Sequence, residues 1–353
     1  MEQNLANCLP ENYRFFLSES RTKEVPRKLT LAKDAAKGTG STRLYLLEHK
    51  DLAVFGLEVE IYNEPDLVTI FISKADTTGY YYMQEPKPPT LSIRRIAQVI
   101  LAEIIKEFPD RKVRLCIFTR PEKQYLFGLS SKCPHKHILS GLQLLKWWIS
   151  VAENVVQNVC EHSSLHKYAL SPGMDDADMK RLLDHVPGWQ IGTVFCPKEE
   201  QDTVKAVDVI PQFSDDPKTR FVNAIETDHR KDEVTVKMFL EEIQGRQEFR
   251  LAQTVGIIGV VGVTKPTAKT AKWDHELIDT HSYDRLHEQL LNGDYSNITS
   301  AKNATADIVK SMTYRTDIIG SLKQLVSEKA KEPAKRVNTL SAGLVRKKPK
   351  TTS

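Results

Sequence analysis

Two adjacent carboxylates, Asp215-Asp216, stand before Pro217, Lys218 and Arg220 and are the clearest candidates for proton transfer in the chain. Such a pair acts as general base or acid when one member is held ready to take or give a proton. The same residues also spell a helix start, with Asp216 as N-cap and Pro217 at the first helical position, and both readings stand. Lys218, taken alone, is a surface lysine in the first turn, where its charge opposes the helix dipole. Arg220 reads equally as an anion contact or a surface arginine. Trp147-Trp148 falls in a helical stretch, where neighbours point about 100° apart. The two rings are therefore not expected on one face, and packing accounts for at least one of them. Asp76 lies just after a strand in Asp-Thr-Thr-Gly, the composition of a solvated turn.

Cys133, His135 and His137, with Cys160 and His162 beyond, are zinc-ligand types. Their spacing fits no common zinc template, and a helix of about 20 residues carries Cys160 roughly 30 Å away, so no metal is expected. Gln253-Thr-Val-Gly256-Ile-Ile258 approaches a pyrophosphate-binding loop, but the branched Ile258 blocks close backbone approach to phosphate. Gly256, Gly259 and Gly262 lack the Lys-Ser/Thr of a phosphate loop. A buried strand with tight turns is the better reading.

Three strands are expected around Leu44–Leu47, Leu52–Tyr62 and Leu67–Ser73. The second alternates Val54, Gly56, Glu58, Glu60 against Phe55, Leu57, Val59, Ile61, the period of a half-buried strand. Ile93, Ile96, Ala97, Ile100, Leu101, Ile104 and Ile105 then trace one helical face, with Ser92 as N-cap. Residues 113–119 read as a buried strand and Gly141–Cys160 as a second long helix. A helix near 175–184, a strand at Trp189–Phe195, helices near 217–228 and 235–244, strand with a Gly-punctuated turn over 247–263 and helices near 283–292 and 301–327 follow. Strands and helices mix without a regular βαβ repeat. The expected fold is α/β (α+β), a mixed central β-sheet surrounded by helices in a single elongated domain.

The net charge of +4 conceals an uneven distribution. Residues 329–353 hold eight of the 50 basic side chains and one of the 46 acidic ones, leaving 42 against 45 in residues 1–328. The body is mildly acidic and the tail, rich in Lys, Ala, Pro and Ser, reads as disordered. Sequence-specific nucleic-acid binding wants a cationic face that such a body lacks. The longest apolar run, Val255–Val263, includes three glycines, far from the roughly 20 apolar residues of a membrane span, and no signal peptide is expected. Five scattered cysteines suit a reducing compartment.

Several segments together carry a resemblance. They are Ser73–Tyr80, Cys116–Pro121 running into Gln124–Phe127, His137-Ile138-Leu139 leading to Lys146-Trp147-Trp148, Trp189–Gly192, Asp215–Lys218 with Arg220-Phe221, and Arg246–Phe249. In this order they resemble the fungal-specific histone H3 lysine acetyltransferases that act with histone chaperones, similar in fold to the metazoan coactivator histone acetyltransferases. The likeness covers most of residues 44–263 and reaches weakly to the basic C-terminus. One departure is that only Phe108-Pro109-Asp110 separates the main helix from the Cys116 strand, where family members can carry a long insertion.

The resemblance implies an acetyl-CoA-dependent catalytic domain over 1–328, with a basic tail over 329–353. The acceptor it implies is the ε-amine of a lysine in the first (αN) helix, and in the N-terminal tail, of H3. Such an amine must lose a proton first, since its pKa is ~10.4. By the resemblance Asp216 is the acid/base residue with Asp215 beside it, and Trp148 shapes the lysine channel. Asp76 is needed for activity, and Ala75, Asp76 and Thr77 contact the co-substrate. Phe118, Thr119 and Arg120 lie along acetyl-CoA, while Tyr125, His137, Ile138, Leu139 and Trp147 complete its wall. Lys218 matches an autoacetylated lysine. Implied partners are H3–H4 and two chaperones, one anti-silencing-type and one nucleosome-assembly-type. The implied setting is the nucleus, in replication-coupled nucleosome assembly, the DNA-damage response and transcription. A non-catalytic histone-binding scaffold and an acetyltransferase for another acceptor are the alternatives; acetyl-CoA binding separates the first from the enzyme.

Overall fold

The two longest strands, β3 (Gly38–His49) and β4 (Leu52–Asn63), form a hairpin whose two-residue turn, Lys50-Asp51, has positive φ at both positions (49° and 62°). A turn of that twist matches the twist of the flanking strands; Lys-Asp is not its usual sequence, which hid it from the sequence reading. The computed structural model describes residues 1–245, 254–266 and 273–323. Ahead of the hairpin come helix α1 (Glu2–Ala6), β1 (Arg14–Arg21) and β2 (Val25–Arg27). After it follow β5 (Val68–Thr77), α2 (Ile93–Lys106), β6 (Lys112–Thr119), α3 (Gly141–Val159), β7 (His166–Leu170), α4 (Asp176–Leu183) and β8 (Trp189–Ile191). Then come α5 (Ala206–Val209), α6 (Pro217–Thr227), α7 (Val236–Ile243), β9 (Gly256–Val263), α8 (Thr280–Asn292), α9 (Ile298–Ser311) and β10 (Tyr314–Ile319).

The strands make one mixed sheet in the order β10-β1-β3-β4-β5-β6-β9-β7-β8, with β2 on β3. The β5–β6 and β7–β8 pairs are parallel and the others antiparallel. Helices α1 to α4 pack on one face through Ile96, Ile100, Ile104, Val151, Val155 and their neighbours. Helices α8 and α9 cover Leu44, Leu46 and Leu52 on the other face, and α5 to α7 share a small core of their own. A mixed sheet between helices in a single domain is the expected fold class.

The main helices begin as expected. Ser92 caps α2 by accepting from Arg95 N, and Ser140 with Gln143 closes a reciprocal capping box on α3. Several boundaries need correction. Trp189–Phe195 is a strand only to Ile191, since Gly192 takes φ 149° and turns the chain away. The Gly-punctuated segment is an unbroken strand from Gly256. The expected helix over 301–327 ends at Ser311, and Tyr314–Ile319 becomes the edge strand β10 against β1; its alternation is visible only beside a partner. β1 itself escaped notice because Ser18, Glu19 and Ser20 are buried along with Phe15 and Leu17. Glu58 and Glu60, on the face of β4 expected to meet water, are 4% and 2% exposed. Residues 246–253, 267–272 and 324–353 lie outside the described residues, and with them Arg246–Phe249 and the basic tail.

Gly141, the first residue of α3, fixes how close that helix comes to the sheet. A Cβ there would stand 2.0 Å from the carbonyl oxygen of Thr254. Glycine to alanine in a helix ordinarily stabilises by about 1 kcal/mol. Here Gly141→Ala is expected to destabilise instead, by about 1–3 kcal/mol of overpacking, measured as a lower urea midpoint at unchanged slope.

Candidate functional site

Strands β5 and β6 run parallel and pair only from Val68↔Val113 to Ile72↔Ile117. Beyond that point β5 stays with β4 as far as Thr77↔Phe55, and β6 stays with β9 as far as Thr119↔Gly256. A bulge accompanies the parting: Glu58 pairs with Lys74 and Val59 with Ile72, leaving Ser73 as the extra residue. Bulges bend a strand and re-aim its side chains. The carboxyl ends of two parallel strands thus separate, the place where ligands enter sheets of this kind. Ser73–Thr77 and Phe118–Thr119 flank the gap without pairing to one another.

A cleft of about 590 Å³ fills the gap, within the range of small-molecule sites. Ala75, Asp76, Thr77, Phe118, Thr119, Arg120, Tyr125, His137, Ile138, Leu139, Trp147, Trp148, Asp215 and Asp216 all line it. The tertiary structure brings together every residue named for the site except Lys218, which lies directly behind Asp216. The two tryptophans share the cleft after all: their rings meet edge to face, 4.7 Å between centroids and 89° between planes. Trp148 is buried in the main core and Trp147 leans over its edge. Residues that the sequence did not single out include Tyr81, Tyr82 and Arg94 on the wall and Lys74 near Asp215. A tyrosine triplet, Tyr80 to Tyr82, was the available signal for two of them.

The acidic segment is mounted by an aromatic stack. Phe213 lies flat on Phe71 of β5, centroids 4.0 Å apart, and Tyr62 of β4 flanks it. The next residues turn sharply: Asp215 holds φ 52°, a left-handed conformation that a short polar side chain tolerates. Asp215 is largely exposed and contacts Arg220 Nη2 at 2.8 Å and Lys74 Nζ at 3.3 Å. Asp216 faces inward. Oδ1 accepts from Lys218 N at 2.9 Å as the helix cap, and Oδ2 meets Lys218 Nζ at 2.5 Å. Both side chains are almost fully buried, and the ammonium also sits 4.7 Å over the Phe118 ring. The cap is real, and it lines the cleft. Lys218 is not a surface lysine.

Asp76 is no solvated turn residue either; it belongs to β5 and is 9% exposed. Oδ1 accepts from Thr77 N at 2.8 Å and pairs with Lys136 Nζ at 2.7 Å, while Oδ2 accepts the backbone N–H of Tyr125, Leu126 and Phe127. Those bonds fasten segment 125–127 to the end of β5. Burial pulls the Lys136 ammonium below its usual pKa, against the pull of Asp76. Burial pushes the Tyr125 phenol upward, so it stays protonated and donates to the Arg120 carbonyl.

The wall also carries polar atoms without a protein partner. Thr119 Oγ1 and Arg120 Nε are buried and make no hydrogen bond, although Arg120 Nη2 pairs with Glu122 at 2.8 Å. Orphaned buried donors of this kind invite a ligand. Set along the gap between the two strand ends, they fit an extended molecule with amide groups in its arm and phosphates at its end, such as acetyl-CoA. Among the described residues, no three His, Cys, Asp or Glu side chains gather as metal ligands, and no helix is long and apolar enough to cross a membrane.

Known proteins share this fold. The histone acetyltransferase RTT109 of Candida albicans is 28% identical over 276 residues, 61% of this chain and 72% of that protein. The Schizosaccharomyces pombe histone acetyltransferase rtt109 is 28% identical over 229 residues, 61% of this chain and 58% of that protein. The Aspergillus flavus counterpart is 28% identical over 199 residues, 49% of this chain and 35% of that protein. The chain thus spans less than two thirds of the latter two. The crystal structure of Rtt109 from Aspergillus fumigatus has the same fold, with a TM-score of 0.77 at 20% identity over 92% of this chain and 99% of that one. The family model of the histone acetyltransferase KAT11-type domain matches residues 1–107 and 94–311, and the chain belongs to that family of acetyl-CoA-dependent lysine acetyltransferases.

Proposed function

We propose that this enzyme acetylates a lysine of histone H3, in the αN helix and the N-terminal tail, using the Asp215–Asp216 end of the cleft for the acceptor. The carrying observation is the meeting of Trp148 with a buried, helix-capping Asp216 on one cleft. An aliphatic stem needs an apolar wall, and an ammonium needs a group that takes its proton. When bound, acetyl-CoA supplies the thioester carbonyl. Ala75, Thr77, Phe118, Thr119 and Arg120 would hold its arm, with Tyr125, His137, Ile138, Leu139 and Trp147 around them. Asp76 serves by fixing Tyr125, and Asp215 by pairing with Lys74 and Arg220 beside the acceptor.

Asp216 takes a proton only if its hold on Lys218 loosens. Acetylation of Lys218 by the enzyme itself would remove that ammonium and leave Oδ2 free of its ion pair. On this reading the buried pair holds the base in reserve. The family's chaperone partners extend the scheme: an anti-silencing-type chaperone presents H3–H4, and a nucleosome-assembly-type chaperone binds the enzyme's own surface. The setting is the nucleus, in replication-coupled assembly and genome stability. Residues 1–328 form the catalytic domain, and Arg346–Lys350 in the tail serve import or docking. Weak turnover on isolated H3 that rises strongly with chaperone supports the partners; full turnover without one counts against them.

Asp216→Asn retains a capping oxygen and removes the base, so turnover is expected to fall about 10²–10⁴-fold with acetyl-CoA affinity unchanged. The loss narrows as pH rises toward the acceptor's own pKa of ~10.4, because more amine is already neutral. Wild-type turnover from pH 6 to 9 would reduce Asp216 to a cap. Trp148→Ala should raise KM for H3 and cost about 3–5 kcal/mol in chemical denaturation, while Trp148→Phe recovers most of the stability and less of the recognition.

Lys218 separates charge from function. Lys218→Met strands a buried carboxylate and is expected to cost about 3–5 kcal/mol. Lys218→Gln keeps a donor for Asp216 without the charge, and should be both more stable than the methionine variant and more active than Lys218→Arg. Lys218→Arg matching the wild-type rate would argue against release of the pair by acetylation.

A further inference from the structure

The acetyl-transfer scheme leaves Glu58 of β4 unused, although its carboxylate sits at a junction. Oε1 accepts the Ser73 hydroxyl at 2.7 Å and lies 3.6 Å from Lys74 Nζ. Oε2 accepts the Tyr283 hydroxyl at 2.8 Å and lies 3.3 Å from His287 Nε2. Ser73 and Lys74 line the cleft, and Lys74 reaches on to Asp215. At the far end, the His287 side chain is 21% exposed on α8. One buried carboxylate therefore faces the acceptor end of the cleft through one oxygen and a near-surface imidazole through the other. Lys74 and Tyr283 would satisfy it structurally. The His287 approach is off the hydrogen-bond direction, with no better partner for Nε2, which suits intermittent exchange more than fastening.

The reaction needs such a route. An acceptor ammonium loses two protons on becoming an amide: the leaving thiolate takes one to become the thiol, and the other must reach water. A protein acceptor seated over the cleft closes the direct way out. We propose that Ser73, Glu58 and His287 form a proton exit from the acceptor end of the cleft to the outer side of α8. Ser73 Oγ accepts a proton from the cleft as its own O–H proton passes to Glu58 Oε1. The carboxyl group turns, gives that proton to His287 Nε2, and the imidazole releases its Nδ1 proton to water. Only O–H and N–H bonds change; Ser73 and Glu58 return to their starting forms, and a flip of the His287 ring turns the bare nitrogen back to Glu58 and the N–H back to water. The other charged or titratable groups around the route are Glu60 on β4, Asp215 before α6, and Tyr283 and Asp284 on α8.

This rests on the reading that the acceptor lysine loses its proton at the Asp215–Asp216 end, and the test keeps the two apart. Steady-state rates of the full chain with acetyl-CoA and H3–H4 are compared for wild type, His287→Gln, Glu58→Gln and Asp216→Asn from pH 6 to 9. His287→Gln is expected to lower kcat about five-fold near pH 6.5, short of the ~10²–10⁴ of a direct base. KM for acetyl-CoA and the thermal midpoint should hold, and added imidazole should restore the rate. Glu58→Gln should lose more and respond less to imidazole; if it does not fold, His287→Gln decides alone. An unchanged pH profile for His287→Gln overturns the exit, as does a loss that tracks the thermal midpoint and ignores imidazole. A silent Asp216→Asn beside a slow, imidazole-restored His287→Gln overturns the base assignment and leaves the exit standing.

Discussion

The site depends on a single interruption of the sheet, the point past Ile72 and Ile117 where β5 and β6 cease to pair. A continuous ladder would satisfy every backbone group there and leave no entrance. The bulge at Ser73 bends β5 toward β4, and β9 holds β6 on the other side. Neither strand can close the gap without breaking a longer ladder elsewhere. The opening is therefore a property of the fold, present before a ligand arrives.

Around that opening three carboxylates lie in the low-dielectric interior, and each is balanced in its own way. Asp76 is matched by four backbone N–H donors and Lys136. Asp216 is matched by a helix N-terminus and one lysine, and Glu58 by a hydroxyl, a phenol and a lysine. Buried charge is costly unless paired and hydrogen-bonded. The difference lies in how easily each could be released. Asp76 is tied mainly by main chain and serves as a clamp; Asp216 and Glu58 hang on side chains that chemistry can alter or protonate.

Packing supplies the accuracy. The Phe213–Phe71 stack sets the acidic segment on the back of the sheet, and the close approach of Gly141 sets the start of α3, and with it Trp147 and Trp148, on the opposite wall. These two anchors come from parts of the chain about 70 residues apart in sequence. Asp216 and Trp148 meet because the segments that carry them are braced on strands that flank one gap, which is how small distances are held across a large molecule.

What the sequence determined by itself was whatever repeats locally. The stripe of α2 and its Ser92 cap, the extent of α3, the Asp216-Pro217 helix start and the alternation of β4 follow from periods of 3.6 and 2 and from cap chemistry, and these are set by near neighbours. The motif order also picked out residues that the fold gathers on one cleft. Only the tertiary structure decided which surfaces those elements cover. Glu58 and Glu60 read as outward because alternation tells which residues share a face but not what lies against it; α8 and segment 213–216 bury them. β10 read as helix because an edge strand shows its register only beside its partner. Lys218 read as surface, and Asp76 as a turn, because a charged residue is exposed by default. What overturned that default was a counter-charge brought from a neighbouring loop in one case and a cap turned inward in the other, contacts made only when the chain closes on itself.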